Sequence, residues 1–516
     1  MKALNVLLAV LMSLLVAAAV LEGGLRLLGM GPQPTINRFD PKLGWVKTPG
    51  TTTHRKTSEF DITFAVNSLG LRDDEMASAA KPAGTYRVIA LGDSFVLGYT
   101  VDRQDLFVDE LEKAWQSEGR PVDVINAGTE GYSTDQEVLW LDLHGRAFQP
   151  DLVLLFPYEN DLYWSAKASY GRYPKPRFDV LGAPEHLVLA DPGPPPWQDR
   201  FALGRILAAL GKRPPMWTPP GGRPLSMEWV AYFKDSPEPM HEVRLRTRSA
   251  LSHLKKACEE VGAKLVVVPI PNKACIEADA RQRLAKQIQV ATEAWSPDLP
   301  VETFLRLCGE LSIAALDPRE SLRAAAASVE DGRLYFQKDW HLNPEGNRAL
   351  ANFVRAELDR IQVLPAPVAG SKPVEIPAPV KVHSFGWLKI FALLWAVLSC
   401  VWILTYPQDR AWQAPLKVLV MLGLVFTIIL GGNWVLGKIP AAFSQWILVA
   451  FVLGLFGFIF WKLGRRLGTI VELFACMVGR GHWYLIPLVV VLLSVGSLLV
   501  VAASSPLVAP FIYTLF

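Results

Sequence analysis

The stretch RVIALGDSFVLG, residues 87–98, decides the fold. Val88 to Leu91 form a short apolar run of the kind that makes a strand buried on both faces of a parallel sheet. The run stops at Gly92, where a residue without a Cβ permits a sharp turn. Asp93 and Ser94 follow at once, which leaves the Ser94 hydroxyl at the carboxyl end of a strand. Open α/β sheets place their ligands at that edge. Strand-Gly-Asp-Ser turns also serve as plain loops and helix caps, so the choice between cap and nucleophile rests on the rest of the chain.

Outward from this stretch, strand-like and helical patterns alternate. Strands are expected at 88–91, 122–126, 152–156, 264–270 and 313–316. Amphipathic stretches lie between them at 106–117, 134–148, 241–261 and 277–294, and 344–360 supplies a final helix. This alternation predicts an α/β domain with a mainly parallel sheet and helices on both faces. Residues 163–240 break the rhythm. They are rich in Pro, Gly, Trp and Tyr, too Pro-rich for a core strand and too aromatic for a free linker. They read as an insertion over the active edge of the sheet, with a flap that makes no substrate contact as the plainer alternative.

Hydrophobic residues make up 51% of the 516-residue chain, and the apolar excess sits at its two ends. Residues 3–21 are almost wholly apolar after Lys2, close to the ~20 residues that span a bilayer. They read as an uncleaved anchor, with a signal peptide as the alternative. Four further apolar runs lie near 387–405, 416–431, 442–461 and 484–503, with the basic cluster WKLGRR at 461–466 between the last two. The implied plan is an N-terminal transmembrane anchor at 1–30 and a catalytic domain at 31–361. A Pro-rich tether at 362–385 and a C-terminal all-α transmembrane bundle of about four helices at 386–516 follow. The expected location is the inner (cytoplasmic) membrane, multi-pass, with the catalytic domain on the periplasmic side. None of the four later runs carries a charge at depth, which favours an anchor or docking surface over a transporter.

A net charge of +3 without a Lys/Arg stripe argues against nucleic acid as a partner. The five Cys, at 258, 275, 308, 400 and 476, show no metal-ligand spacing; of Cys258, Cys275 and Cys308 at most one pair could bridge, and the three read as packed thiols.

Three later stretches bear on Ser94. NAGTEGYSTDQE (126–137) follows the second strand, and its Gly131 can bring a backbone N–H close to a ligand. PYENDL (157–162) follows the third, where Asn160 offers an amide donor. KDWHLNPEGN (338–347) places His341 before a helix opened by Asn343-Pro344, and Asp339 stands two residues before it. Acyl transfer by a serine needs a nucleophile, a base, an orienter for the base and donors facing the developing oxyanion. Ser94, His341, Asp339 and the Gly131/Asn160 pair supply one of each.

Taken in order, the four blocks resemble the SGNH, or GDSL, hydrolase superfamily, over roughly residues 86–361. The resemblance implies a three-layer α/β/α fold and a serine esterase, lipase or acyltransferase. It implies an oxyanion hole from the N–H of Ser94, the N–H of Gly131 and the Asn160 amide, with no metal or organic cofactor. Two positions depart from the family pattern. Tyr158 stands where a Gly is common, and Lys338 occupies the usual position of the acid. The D-x-H spacing of Asp339 and His341 resembles the branch that O-acetylates exopolysaccharides, and some envelope esterases. VNSLGLRD (66–73) resembles a lead-in found in membrane-tethered members, and the ending near 474–516 is similar to short bacterial membrane proteins of unknown function.

The first functional expectation is an esterase acting on acyl, chiefly acetyl, esters of an envelope glycan or lipid-linked sugar through an acyl-Ser94 intermediate. The second is a polysaccharide O-acetyltransferase with the same triad. The third is a binding or assembly module with an idle site. Expected partners are the carbohydrate-linked ester, membrane lipid and another integral membrane protein of a polysaccharide pathway.

Overall fold

The computed structural model describes residues 36–367 apart from 58, 77, 182–188, 211–215 and 235–237, together with short pieces within 18–26 and 391–423. The chain divides into two units, Leu28–Val380 on one side and Met1–Leu27 with Lys381–Leu515 on the other.

The larger unit is built on five strands: β1 (Tyr86–Gly92), β2 (Val122–Asn126), β3 (Leu152–Phe156), β4 (Lys264–Val267) and β5 (Ala314–Ala315). All neighbours pair parallel, in the order β5-β4-β3-β1-β2. The order reverses direction between β1 and β3, and a doubly wound sheet opens its ligand crevice at such a point. Alternate residues of β1 serve two separate cores. Val88 and Ala90 pack with α2 (Phe107–Ser117), α7 (Arg319–Ser328) and α8 (Pro344–Arg360). Ile89 and Leu91 pack with α3 (Thr134–Leu143), α5 (Glu238–Val261) and α6 (Leu299–Glu310). The three-layer α/β/α arrangement follows from that double burial, since each fully buried Val, Leu or Ile contributes about 1.5–3 kcal/mol.

Two short helices leave the sheet at its carboxyl edge, α1 (Ser94–Leu97) after β1 and α4 (Glu159–Trp164) after β3. Gly92 is required at the first turn for space rather than for φ: a Cβ there would lie 2.2 Å from Val96 Cγ2 and 3.2 Å from the Phe156 carbonyl oxygen. Two antiparallel hairpins precede the sheet. One joins Asn37–Asp40 to Gly44–Lys47, the other Thr52–Lys56 to Asp61–Ala65. Within 163–240 the described residues form two small hairpins and a helix, Ala202–Leu210. Residues just past α8 stay with the domain: the Tyr86 hydroxyl donates to the Val363 carbonyl at 2.6 Å. Cys258, Cys275 and Cys308 are buried free thiols.

The membrane expectation needs correction. Among the described residues no helix is long and apolar enough to cross a membrane. This overturns the transmembrane anchor at 1–30, the transmembrane bundle at 386–516 and the multi-pass inner-membrane location built on them. Hydropathy counts only apolar residues, whereas a span also needs one unbroken helix that satisfies its own backbone. The runs at 442–461 and 484–503 lie outside the described residues, as do most of 3–21, 387–405 and 416–431, and the tether beyond 367.

Candidate active site

Ser94 opens α1 directly above the sheet. Asp93 caps the helix, its Oδ1 accepting from the Phe95 N–H at 2.9 Å. The first N–H groups of a helix have no partner within it, so the Ser94 N–H is available at the same edge as its hydroxyl. His341 reaches this edge from the loop before α8. Its Nε2 lies 2.7 Å from Ser94 Oγ and its Nδ1 lies 2.6 Å from Asp339 Oδ1. The same Asp339 oxygen accepts the His341 backbone N–H at 2.9 Å. A D-x-H spacing therefore suffices, because the turn folds both N–H groups of the histidine onto one carboxylate oxygen. The Phe95 and Tyr99 rings stand 4.7 and 5.5 Å from the imidazole.

Burial alone would push the Asp339 carboxyl up. The His341 charge, its hydrogen bonds and the nearby Arg55 guanidinium outweigh this and hold it below the usual carboxylate range. Asp93 is moved the other way, up to about 6, by complete burial.

The His341 loop is held by its neighbours in sequence. Asn343 caps α8, accepting from the Gly346 N–H at 2.8 Å, with Pro344 at the first helical position. Buried Asn347 donates to the Leu342 and Asn343 carbonyls and accepts from the Phe107 N–H at 3.2 Å. Gly346 lies so close to the chain entering the loop that a Cβ would stand 2.0 Å from the Leu334 carbonyl oxygen. Gly346→Ala should therefore cost about 1–3 kcal/mol of stability. Thermal melting checks it; an unchanged midpoint would mean the loop moves aside without loss.

Gly131 sits on the loop after β2 with φ +73°, and a Cβ there would meet the Tyr170 ring at 2.8 Å. That loop is tied to the nucleophile strand by the Thr129 N–H on the Gly92 carbonyl at 3.1 Å, and the Gly131 N–H has no acceptor among the described residues. Asn160, in the first turn of α4, has its amide beside Asp93, and its Oδ1 is buried without a partner. Tyr158 is buried against Phe95, ring centroids 4.5 Å apart, so its bulk fills core beneath the site. The structure thus brings Ser94, His341 and Asp339 into direct hydrogen bonding, and sets Gly131 and Asn160 on the same edge.

Several residues here carry no motif. Glu137 and Asp161 are buried near Asp93, and burial, followed by repulsion from Asp161 and Asp93 at Glu137 and from Asp93 and Asp135 at Asp161, pushes both carboxyls well up. Lys175 pairs with the neighbouring Asp135. Arg72, 1% exposed, donates to the carbonyls of Leu97 (2.9 Å), Gly98 and Val101 (2.8 Å), and stacks on Phe64. The VNSLGLRD stretch thus buttresses the carboxyl end of the nucleophile helix. Its Asn67 knots the turn by accepting from the N–H groups of Leu69 and Leu71.

A doubly wound sheet with a serine at its switch point and a His-Asp pair closing over it defines an acyl-ester hydrolase or acyltransferase. Residues 233–381, which include Asp339 and His341, match the family model described as SGNH hydrolase-like domain, acetyltransferase AlgX. Over those residues the chain is similar to the SGNH hydrolases. Residues 467–516 match a family of unknown function, DUF5989. Similar solved structures include TesA, at 12% identity over 53% of this chain and 99% of that one, TM-score 0.31. An acetyl xylan esterase, AlAXEase, is 13% identical over 53% and 99%, TM-score 0.31. A lipase/acylhydrolase from Enterococcus faecalis is 15% identical over 55% and 100%, TM-score 0.30. Among curated proteins, no relative matches this chain.

Proposed function

We propose that the protein cleaves acetyl esters borne by a carbohydrate, through an acetyl-Ser94 intermediate. Ser94 Oγ attacks the ester carbonyl carbon as its proton passes to His341 Nε2. Asp339 accepts from Nδ1–H and stabilises the imidazolium. The N–H groups of Ser94 and Gly131 and the Asn160 amide face the oxyanion. Collapse breaks the bond to the alkoxy oxygen, which leaves with the proton held by His341. Water, deprotonated by the same ring, then attacks the acyl-enzyme and releases acetate. The observation that carries this reading is the 2.7 Å contact between His341 Nε2 and Ser94 Oγ, with Asp339 at 2.6 Å on the far nitrogen.

A second reading has a sugar hydroxyl take the place of water, making the protein an O-acetyltransferase. It is favoured by the acetyltransferase description of the family model matched across the His341 loop. Both readings require a reactive Ser94. A serine-reactive fluorophosphonate should label the folded protein at Ser94 and nowhere after heat unfolding; no labelling of folded protein would refute both. Incubation with an acetyl donor and an oligosaccharide then separates them: free acetate alone supports the hydrolase, and O-acetylated sugar the transferase.

A further inference from the structure

We infer that the hairpin of residues 52–65 is part of the catalytic apparatus, with Glu59 as the positioning residue that fixes Asp339 and, through it, the His341 ring. The inference rests on the acyl-transfer reading of Ser94, His341 and Asp339. The loop from Leu334 to Asp339 is gripped by three charged side chains, each holding two consecutive peptide units. Glu277 Oε1 accepts from the N–H groups of Leu334 (3.1 Å) and Tyr335 (2.9 Å). Lys273 Nζ donates to the carbonyls of Phe336 and Gln337, the latter at 2.9 Å. Glu59 Oε2 accepts from the N–H groups of Lys338 and Asp339, both at 2.9 Å, and its Oε1 lies 3.0 Å from the Lys338 nitrogen.

The first two side chains come from the segment after β4. Glu59 comes from the turn between Thr52–Lys56 and Asp61–Ala65, far away in the chain. Its contact is the one that touches the triad acid itself: Glu59 holds the Asp339 N–H while the Asp339 carboxylate holds the imidazole. Hydrogen bonds to an ionised acceptor are roughly twice as strong as neutral ones, so two of them fix this peptide firmly.

The same segment grips the other half of the site. Phe60 packs on Phe336, ring centroids 5.6 Å apart. Arg55 lies over the Tyr99 ring at 3.1 Å and donates to the Tyr99 carbonyl at 3.0 Å. Arg72 binds the carbonyls closing the nucleophile helix. Residues 55–72 therefore bridge residues 94–101 and 336–341, whose separation sets the Ser94–His341 hydrogen bond. Residues 55–72 lie outside the stretch that matches the family model.

The test compares Glu59→Ala and Glu59→Gln in the full chain. Three quantities are read: kcat and KM on a small acetyl ester, the rate of fluorophosphonate labelling at Ser94, and the downfield proton signal of the His341–Asp339 hydrogen bond. Small displacements of reacting groups cost up to about 100-fold, so Glu59→Ala should lower kcat and the labelling rate by on the order of 10- to 100-fold. KM should stay unchanged and the downfield proton should broaden or vanish. Glu59→Gln, whose amide oxygen accepts from the same N–H groups, should recover most of the rate and the signal. A wild-type labelling rate and proton signal in Glu59→Ala would overturn the inference. Should Ala at this position prevent folding, Glu59→Asp, which draws the carboxylate back by one methylene, is read instead and the same outcomes apply. Failure of the wild-type protein to label at Ser94 refutes the acyl-transfer reading, whereas equal labelling of wild type and variant refutes only the role of Glu59.

Discussion

Ser94→Ala lowers turnover of a small acetyl ester by on the order of 10⁴-fold or more and leaves the fold intact. The reaction needs an oxygen that can both attack and carry the acyl group, and Ser94 Oγ is the hydroxyl that His341 Nε2 contacts at 2.7 Å. Stability should be nearly unaffected, because Ser94 is only half-buried and its neighbours Phe95, Val96 and Leu97 carry the packing of that helix. Ala also keeps the backbone N–H that faces the oxyanion. What activity is left comes from binding and the remaining donors. Steady-state kinetics beside a thermal melt checks this. An unchanged kcat with an unchanged melting point would remove Ser94 from the mechanism.

Asp339→Asn costs on the order of 10³- to 10⁴-fold in kcat, with little change in KM. An amide in place of the carboxylate offers one oxygen and one NH₂ group to the ring. The ring then no longer has to place its proton on Nδ1, and the imidazolium formed during attack loses its counter-charge. The wild-type carboxyl is held below the usual carboxylate range. A group with a depressed folded-state pKa contributes stability above its unfolded value and loses it as pH falls through the folded one. Wild-type protein should thus keep the His341–Asp339 interaction across neutral and mildly acidic pH, losing it only at strongly acid pH. The variant should show no such acid-side step. A pH series of melting points on both proteins checks the sign, and a variant with the wild-type acid profile would contradict it.

The strands of the sheet were legible because both faces are buried. A run such as Leu152 to Phe156 is apolar throughout and buried at every position. The strand expected over 264–270 ends at Val267, although the Val268 and Ile270 N–H groups still donate to the Leu155 and Pro157 carbonyls; that over 313–316, at the sheet margin, shrinks to Ala314–Ala315, since pairing there depends on neighbours rather than on local composition. Residues 32–84 read only as an irregular lead-in with room for short strands, and no pattern places the hairpin strand Thr52–Lys56. TTHRK is polar with no apolar alternation, yet its main chain pairs with Asp61–Ala65, and Arg55 from the strand and Glu59 from the turn after it reach the active edge.

The candidate site divides the same way. Ser94 and His341 follow from motifs that turn the chain at a strand end and a helix start. Glu59, Lys273, Glu277 and Arg72 bind main-chain groups, and a charged side chain holding a carbonyl or an N–H leaves no spacing to read. The membrane expectation fails for the opposite reason: apolar composition alone does not make a helix of spanning length.

The most direct test is to stop the reaction with acid during turnover of an acetyl ester and find the acetyl group by peptide mass spectrometry. One acetyl is expected on the peptide containing Ser94, absent from Ser94→Ala and accumulating when the acceptor is withheld. Full turnover with no acetyl on Ser94, or with the acetyl on another residue, would contradict it.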